Sequence, residues 1–119
     1  MEINWNERDP IYRQLHDRLV EMILEGTYRN GDLLPSVRQI SADHRINPIT
    51  ISKAFQLLVD EGVVEKKRGL GMYVMMGATE KLAQDEKRLF LMEEWPRLVG
   101  KIARLGLSVE ELLEEGSVK

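Results

Sequence analysis

The apolar positions Ile11, Leu15, Leu19, Met22 and Ile23 recur at three- and four-residue steps, the spacing of one helix face. Asp9-Pro10 stands just before them. An aspartate that caps, with a proline in the first turn where no amide donor is needed, predicts a helix start. Gly26 should end this helix, and "TYRNGD" reads as a turn in which Asn30-Gly31 suits positive φ. A second, shorter helix opens at Pro35-Ser36 with Ser36 as its cap, turns Val37 and Ile40 inward and ends near His44. Asn47 caps a third helix, Pro48 is its first residue, and Ile51, Ala54, Phe55, Leu58 and Val59 form its buried stripe. Gly62 closes it in the left-handed conformation that glycine tolerates.

Past Gly62 the period changes from helix to strand. "VVEKK" and "MYVMM" flank "RGLG", which predicts a two-stranded hairpin. Two strands alone are marginal in water, so the hairpin must pack on the helices. From residue 80 to 115 the pattern is helical again, with Leu82, Leu89, Met92, Trp95, Leu98, Val99, Ile102 and Leu105 at roughly three- and four-residue steps. Pro96 lies inside that run and should kink or interrupt it. Gly106 stops it, "SVEE" at 108–111 suits a capping box that starts a last short helix, and Gly116 ends that one. The expected fold is mostly α with a small β-hairpin.

Composition narrows the class. A chain of 119 residues is one ordinary domain, or a small domain with an appendage. With 43% hydrophobic and 31% charged residues it has enough apolar surface for a core. Cysteine is absent, which excludes disulfides and thiolate chemistry. His16 and His44 look isolated from any carboxylate or histidine cluster at metal-ligand spacing, so no metal site is expected. No nucleophile stands with a base, no phosphate loop is present, and "GLG" at 69–71 is better explained as a hairpin turn than as a nucleotide fingerprint. An enzyme is therefore not expected, and no cofactor is implied. No apolar run approaches the ~18 residues of a membrane span, and the opening "MEINWNERDP" is polar and acidic rather than a signal peptide. A cytoplasmic protein is expected.

The second and third helices carry the candidate chemistry. On the third, Ile49, Ser52, Lys53 and Gln56 share a stripe opposite Ile51, Phe55 and Leu58. A cation, a hydroxyl and an amide are the groups that reach base edges and phosphates in a major groove, and Ile49 suits a thymine methyl. Ser36 and Arg38 begin the second helix, and Asn47 and Thr50 begin the third, where amide donors and the dipole favour phosphate. Lys66, Lys67 and Arg68 lead into the hairpin turn, and Gly69 and Gly71 let the backbone pass close to another surface. Such a tip can enter a minor groove. The net charge of −3 is no obstacle, because a basic face is a local property. The alternative is a protein-interaction module that uses the same face.

The stretch from Pro10 to Val74 resembles the winged-helix domain of GntR-type bacterial transcription regulators. The pieces are "PIYRQL", "LPSVRQ", "INPITISKA", "EGVVEKKRGLG" and the closing "YV". The opening, the third helix and the short tail look like the YtrA subfamily, in which the effector domain is reduced to a short helical segment used mainly for dimerisation. The resemblance implies a winged helix-turn-helix DNA-binding domain over 1–78 and a C-terminal helical dimerisation segment over 79–119. It implies double-stranded DNA as partner, contacted by Arg38, Pro48, Ile49, Thr50, Ser52, Lys53, Arg68 and Gly69. It also implies a repressor acting near its own gene and genes for an ABC-type transporter.

The tail offers a means of pairing two copies; the alternative is that it folds back on its own winged helix. Leu89, Met92, Trp95, Leu98, Val99, Ile102 and Leu105 are too apolar for a solvated helix, so they are expected to face a second subunit of a homodimer across a pseudo-palindromic operator. A small-molecule effector stays open, with a cleft lined by Trp95 as the place for one.

Overall fold

The computed structural model describes residues 1–118. The chain divides into two compact units, Met1–Ala83 and the residues from Gln84 onward. The first contains α1 (Ile11–Leu24), α2 (Val37–His44), α3 (Pro48–Asp60), β1 (Val64–Lys67), β2 (Gly71–Val74) and the first turns of α4 (Ala78–Leu89). The α4 start belongs to this unit for a physical reason: Ala78 is 2% exposed in the core and Leu82 packs against it.

Helix α3 is the centre of the first unit. It packs against α1, α2 and β1, and its Ile51, Ala54, Phe55 and Leu58 are buried among Leu15, Leu19, Ile23, Ile40, Val64 and Val74. Val59, expected in the same stripe, is only partly buried at its edge. The local signals for α2 and α3 operate as their residue types suggest. Ser36 Oγ accepts from Gln39 N (3.0 Å) while Gln39 Oε1 accepts from Ser36 N (3.2 Å), a reciprocal capping box. Asn47 Oδ1 accepts from Ile49 N at 2.9 Å, and Pro48 opens α3.

The start of α1 differs from expectation. Asp9 does not cap; Pro10 occupies the cap position and no side chain bonds there. The polar groups of the approach segment are tied instead by Gln14. Its Oε1 accepts from Asn6 N (2.8 Å), and its Nε2 donates to Asn6 O (2.9 Å) and Asp9 O (2.8 Å). His16 is also not isolated. It is buried, and its Nδ1 lies 2.8 Å from Asp17 Oδ1 while Nε2 meets Glu61 Oε1 at the end of α3. That contact ties α1 to α3; among the described residues no group of side chains is arranged to hold a metal ion.

Between α2 and α3 the chain reverses at Arg45, which adopts φ +54° and ψ +44°. Left-handed backbone is normally left to glycine or asparagine. Ser41 Oγ donates to Ile46 O (2.8 Å) and closes the turn around it.

The hairpin is antiparallel with Val64 opposite Val74 and Lys67 opposite Gly71. It has a third edge that periodicity does not announce. Leu33 bridges Tyr73, Leu34 N donates to Met72 O (2.9 Å), Val74 N to Asp32 O (2.9 Å) and Gly31 N to Val74 O (2.8 Å). Residues 31–34 thus cover the free edge of β2, which meets the weakness of an isolated hairpin. Gly31 alone of Asn30-Gly31 takes positive φ. Asn30 fastens this segment to α4: its Oδ1 accepts from Thr79 N and Oγ1, and its Nδ2 donates to the Glu80 carboxylate. The amide of its own residue, then Asn30, hold the Glu80 carboxyl below its ordinary range. Three helices, a helix-turn-helix pair within them, and a β-wing make this unit a winged helix-turn-helix.

The second unit is helical. The helical run that begins with α4 widens to a π-turn over Phe90–Glu94 and continues as α5 (Trp95–Arg104). Trp95 N donates to Phe90 O, a five-residue closure. Pro96 therefore interrupts the α pattern as expected, but by widening it: the larger turn relieves the clash of the ring with the carbonyl four residues back. The rings of Phe90 and Trp95 lie 6.2 Å apart. At Gly106 (φ +73°) the helix ends, with Leu107 N bonded to Ile102 O at 3.1 Å, a Schellman closure. Ser108 Oγ accepts from Glu111 N (3.2 Å) and starts α6 (Val109–Val118). Gly116, expected as its end, lies inside α6.

Candidate nucleic-acid interface

The exposed side of α3 presents Pro48, Ile49, Ser52, Lys53 and Gln56, with Asn47 exposed at the cap and Thr50 half-buried. Ile49 is 78% exposed. A β-branched apolar side chain so far out of the core has no packing role within the unit, which suits contact with an external apolar group such as a thymine methyl. Gln56 is not free to any direction: its Nε2 donates to Asp60 Oδ1 at 2.8 Å, one turn on. Arg38 is exposed on the first turn of α2, and among the described residues no carboxylate pairs with it.

The wing stands beside α3. Val64, Lys66, Met72 and Val74 share one face of the hairpin; Glu65, Lys67 and Tyr73 share the other, as the register and the two-residue alternation require. Because Val64 and Val74 are buried, Lys66 is on the inward face and reaches over the space between wing and α3. Lys67 turns outward and lies 4.6 Å from the centroid of the Tyr73 ring. The strands close through Arg68 and Gly69, with Leu70 N donating to Lys67 O (2.9 Å) and Gly69 at φ +79°. Leu70, 65% exposed, is an apolar tip that the sequence pattern did not single out.

These elements border one open groove of about 540 Å3. Ser36 comes from the α2 cap, Ser52 and Gln56 from α3, and Lys66, Lys67 and Gly69 from the wing, over a floor that includes Leu34, Phe55 and Met72. Residues that are far apart in sequence thus converge on a single surface of hydroxyls, an amide and the Lys66 ammonium, with the Lys67 ammonium beside it over the Tyr73 ring on the other face of the wing. Arg38 and Pro48 lie on a neighbouring depression with Val37, Ser41 and Ala42, while Asn47 and Thr50 border another with Trp5 and Arg45. Gly71 holds φ +121°, a backbone conformation that residues with a Cβ rarely adopt; a Cβ there would also come 2.9 Å from Leu33 Cδ1, the end of a half-exposed side chain that would have to swing aside. Gly71→Ala is expected to cost about 1–3 kcal/mol through backbone strain, read as a lower midpoint of thermal unfolding; an unchanged midpoint would show that the wing accommodates it.

In the second unit Leu89, Met92, Leu98, Val99 and Leu105 are exposed, and Trp95 is half-buried. Ile102, by contrast, is buried at 8% exposure. Phe90, Leu91, Leu107 and Leu113 add exposed apolar surface that the stripe of the sequence pattern had left out.

Known proteins share this organisation. Residues 11–74 match the family described as bacterial regulatory proteins, gntR family. The chain is 33% identical over 114 residues to the HTH-type transcriptional repressor YtrA of Bacillus subtilis (strain 168), covering 96% of this chain and 87% of that one. It is 30% identical over 114 residues to the HTH-type transcriptional regulator YhcF of the same organism, covering 96% and 93%. A solved GntR family transcriptional regulator from Listeria monocytogenes superposes with a TM-score of 0.79 at 26% identity, covering 97% of this chain and 99% of that one. With the winged helix, the convergent polar groove and these likenesses together, the chain belongs to the GntR family of bacterial regulatory proteins and is a DNA-binding transcription regulator rather than an enzyme.

Proposed function

We propose that the protein is a transcriptional repressor that binds a pseudo-palindromic operator as a homodimer. It acts in the cytoplasm on its own operon and on genes for an ABC-type transporter, by occupying the promoter and excluding polymerase. The observation that carries this reading is the convergence of Ser36, Ser52, Gln56, Lys66 and Lys67 on one groove beside an exposed α3. A helix in the major groove with a basic wing beside it supplies base contacts and phosphate contacts at once. YtrA, the 33% identical relative, bears the name of a repressor, which supports repression over activation. The exposed apolar residues of the second unit support pairing of two copies. Among the described residues no helix is long and apolar enough to cross a membrane.

The test is a titration of the protein's own promoter and of a shuffled duplex at two salt concentrations. Preference for the promoter by roughly 10³-fold or more is expected, with affinity for both falling as salt rises. Equal affinity for the two duplexes would remove operator control from the reading.

A further inference from the structure

The two flanks of α3 are unlike each other. At about 100° per residue, Ile49 and Gln56 occupy the middle of the exposed face, with Ser52 to one side and Lys53 to the other. Ser52 borders the wing groove together with Val59 and Gln56. Lys53 lies toward α1, and there its Nζ sits 4.0 Å from the centroid of the Tyr12 ring. Arg13 Cζ lies 6.0 Å from the same centroid. Among the described residues neither Lys53 nor Arg13 pairs with a carboxylate, and Tyr12 itself is half-buried against the core.

A ring face differs from a carboxylate as a holder of lysine. It attracts the ammonium and narrows the directions that a long, flexible stem explores, but it does not neutralise the charge. Lys53 therefore reaches any nucleic acid still cationic and already aimed. The aim matters because the middle of a helix lying in a major groove faces base edges, whereas its flanks face the sugar–phosphate walls. On the wing flank those walls meet Lys66 and Lys67. On the α1 flank the cations assembled around Tyr12, among the described residues, are Lys53 and Arg13.

Resting on the reading of α3 as the recognition helix, we propose that Tyr12 is a positioning residue that directs Lys53 to a backbone phosphate, on the side of the groove away from the wing. Lys53 then contributes affinity without sequence preference, and Ile49, Ser52 and Gln56 are left to read bases. The cation shared with the outer phosphate wall sets the register of α3 in the groove, because it opposes the pull of the wing lysines on the other side.

The experiment uses the full chain and two probes: a duplex selected by the wild-type protein from a random pool, and a random-sequence duplex. Lys53→Gln is expected to weaken both to the same degree, by about threefold to tenfold, and to lower the slope of log affinity against log salt by about one for each protomer engaged. Tyr12→Leu should reproduce part of that loss, Tyr12→Phe should bind as wild type, and Tyr12→Leu should add nothing to Lys53→Gln in the double variant. Thermal unfolding of each variant separates these effects from folding, and Tyr12→Phe keeps the test open if Tyr12→Leu does not fold. A loss confined to the selected duplex, with a changed base preference on reselection by Lys53→Gln, would overturn the proposal and make Lys53 a base reader. An unchanged salt slope in Lys53→Gln would overturn it as well. If selection enriches no duplex and wild type does not bind the random-sequence duplex, the recognition-helix reading itself fails, an outcome separate from both of these.

Discussion

Glutamate at both Met92 and Leu98 is expected to yield a folded monomer whose affinity for a two-half-site operator is lower by about 10²–10⁴-fold. Both residues are exposed, at 73% and 44%, so the substitutions remove no core contact that the first unit needs. Placed in an interface between copies, four new carboxylates would be desolvated without partners. Each winged helix alone keeps its contacts, so binding to a single half-site should change little. What disappears is the gain from tethering, in which the second half-site is met at high effective concentration. Sedimentation with anisotropy titrations on one and two half-sites reads both effects. A double variant that still sediments as a dimer would place the interface elsewhere.

Phe55→Ala should destabilise the winged helix by about 3–5 kcal/mol. Phe55 is 1% exposed and sits where α3 meets the rest of the core cluster. Removing the ring leaves a cavity that surrounding helices and the wing fill only in part. Against the 5–15 kcal/mol typical of a native domain this is a large fraction, and a domain of this size should lose more than about 12 °C in melting midpoint. The measurement is thermal unfolding at fixed protein concentration, since the proposed dimerisation would make the midpoint depend on it. A shift below a few degrees would mean that the site collapses around the gap or that the ring is not central to the core.

The elements that could be read along the chain are those set by chemistry within one turn. Ser36, Asn47, Gly62 and Gly106 act locally, and each ends or starts a helix where its residue type suggests. The exposed stripe of α3 was legible for the same reason, since Ile49, Ser52 and Gln56 follow from helical period alone. What was illegible depends on groups brought together from a distance or on competition between neighbours. Asp9 lost its capping role because Gln14 ties the preceding segment through Asn6. Glu61, 45 positions beyond His16, and the edge strand at 31–34 are products of tertiary packing. So is the ring of Tyr12 under Lys53. Arg45 carries no residue-type signal for its left-handed backbone; the turn imposes it. Pro96 announced an interruption but not its form.

The wide turn at Phe90–Glu94 has a consequence for how apolar positions line up. Five residues there complete little more than one revolution, which lags an ordinary helix by about 100°. Across the turn, side chains eight apart come into line, where seven would do so in uninterrupted helix. Phe90 is thereby clocked with Leu98, and Leu91 with Val99, joining four half-open apolar residues into a continuous seam. Deleting one residue from 90–94 would restore ordinary winding and keep the seam in line at a spacing of seven, whereas straightening the turn with all five residues retained would swing its two halves about a quarter-revolution apart.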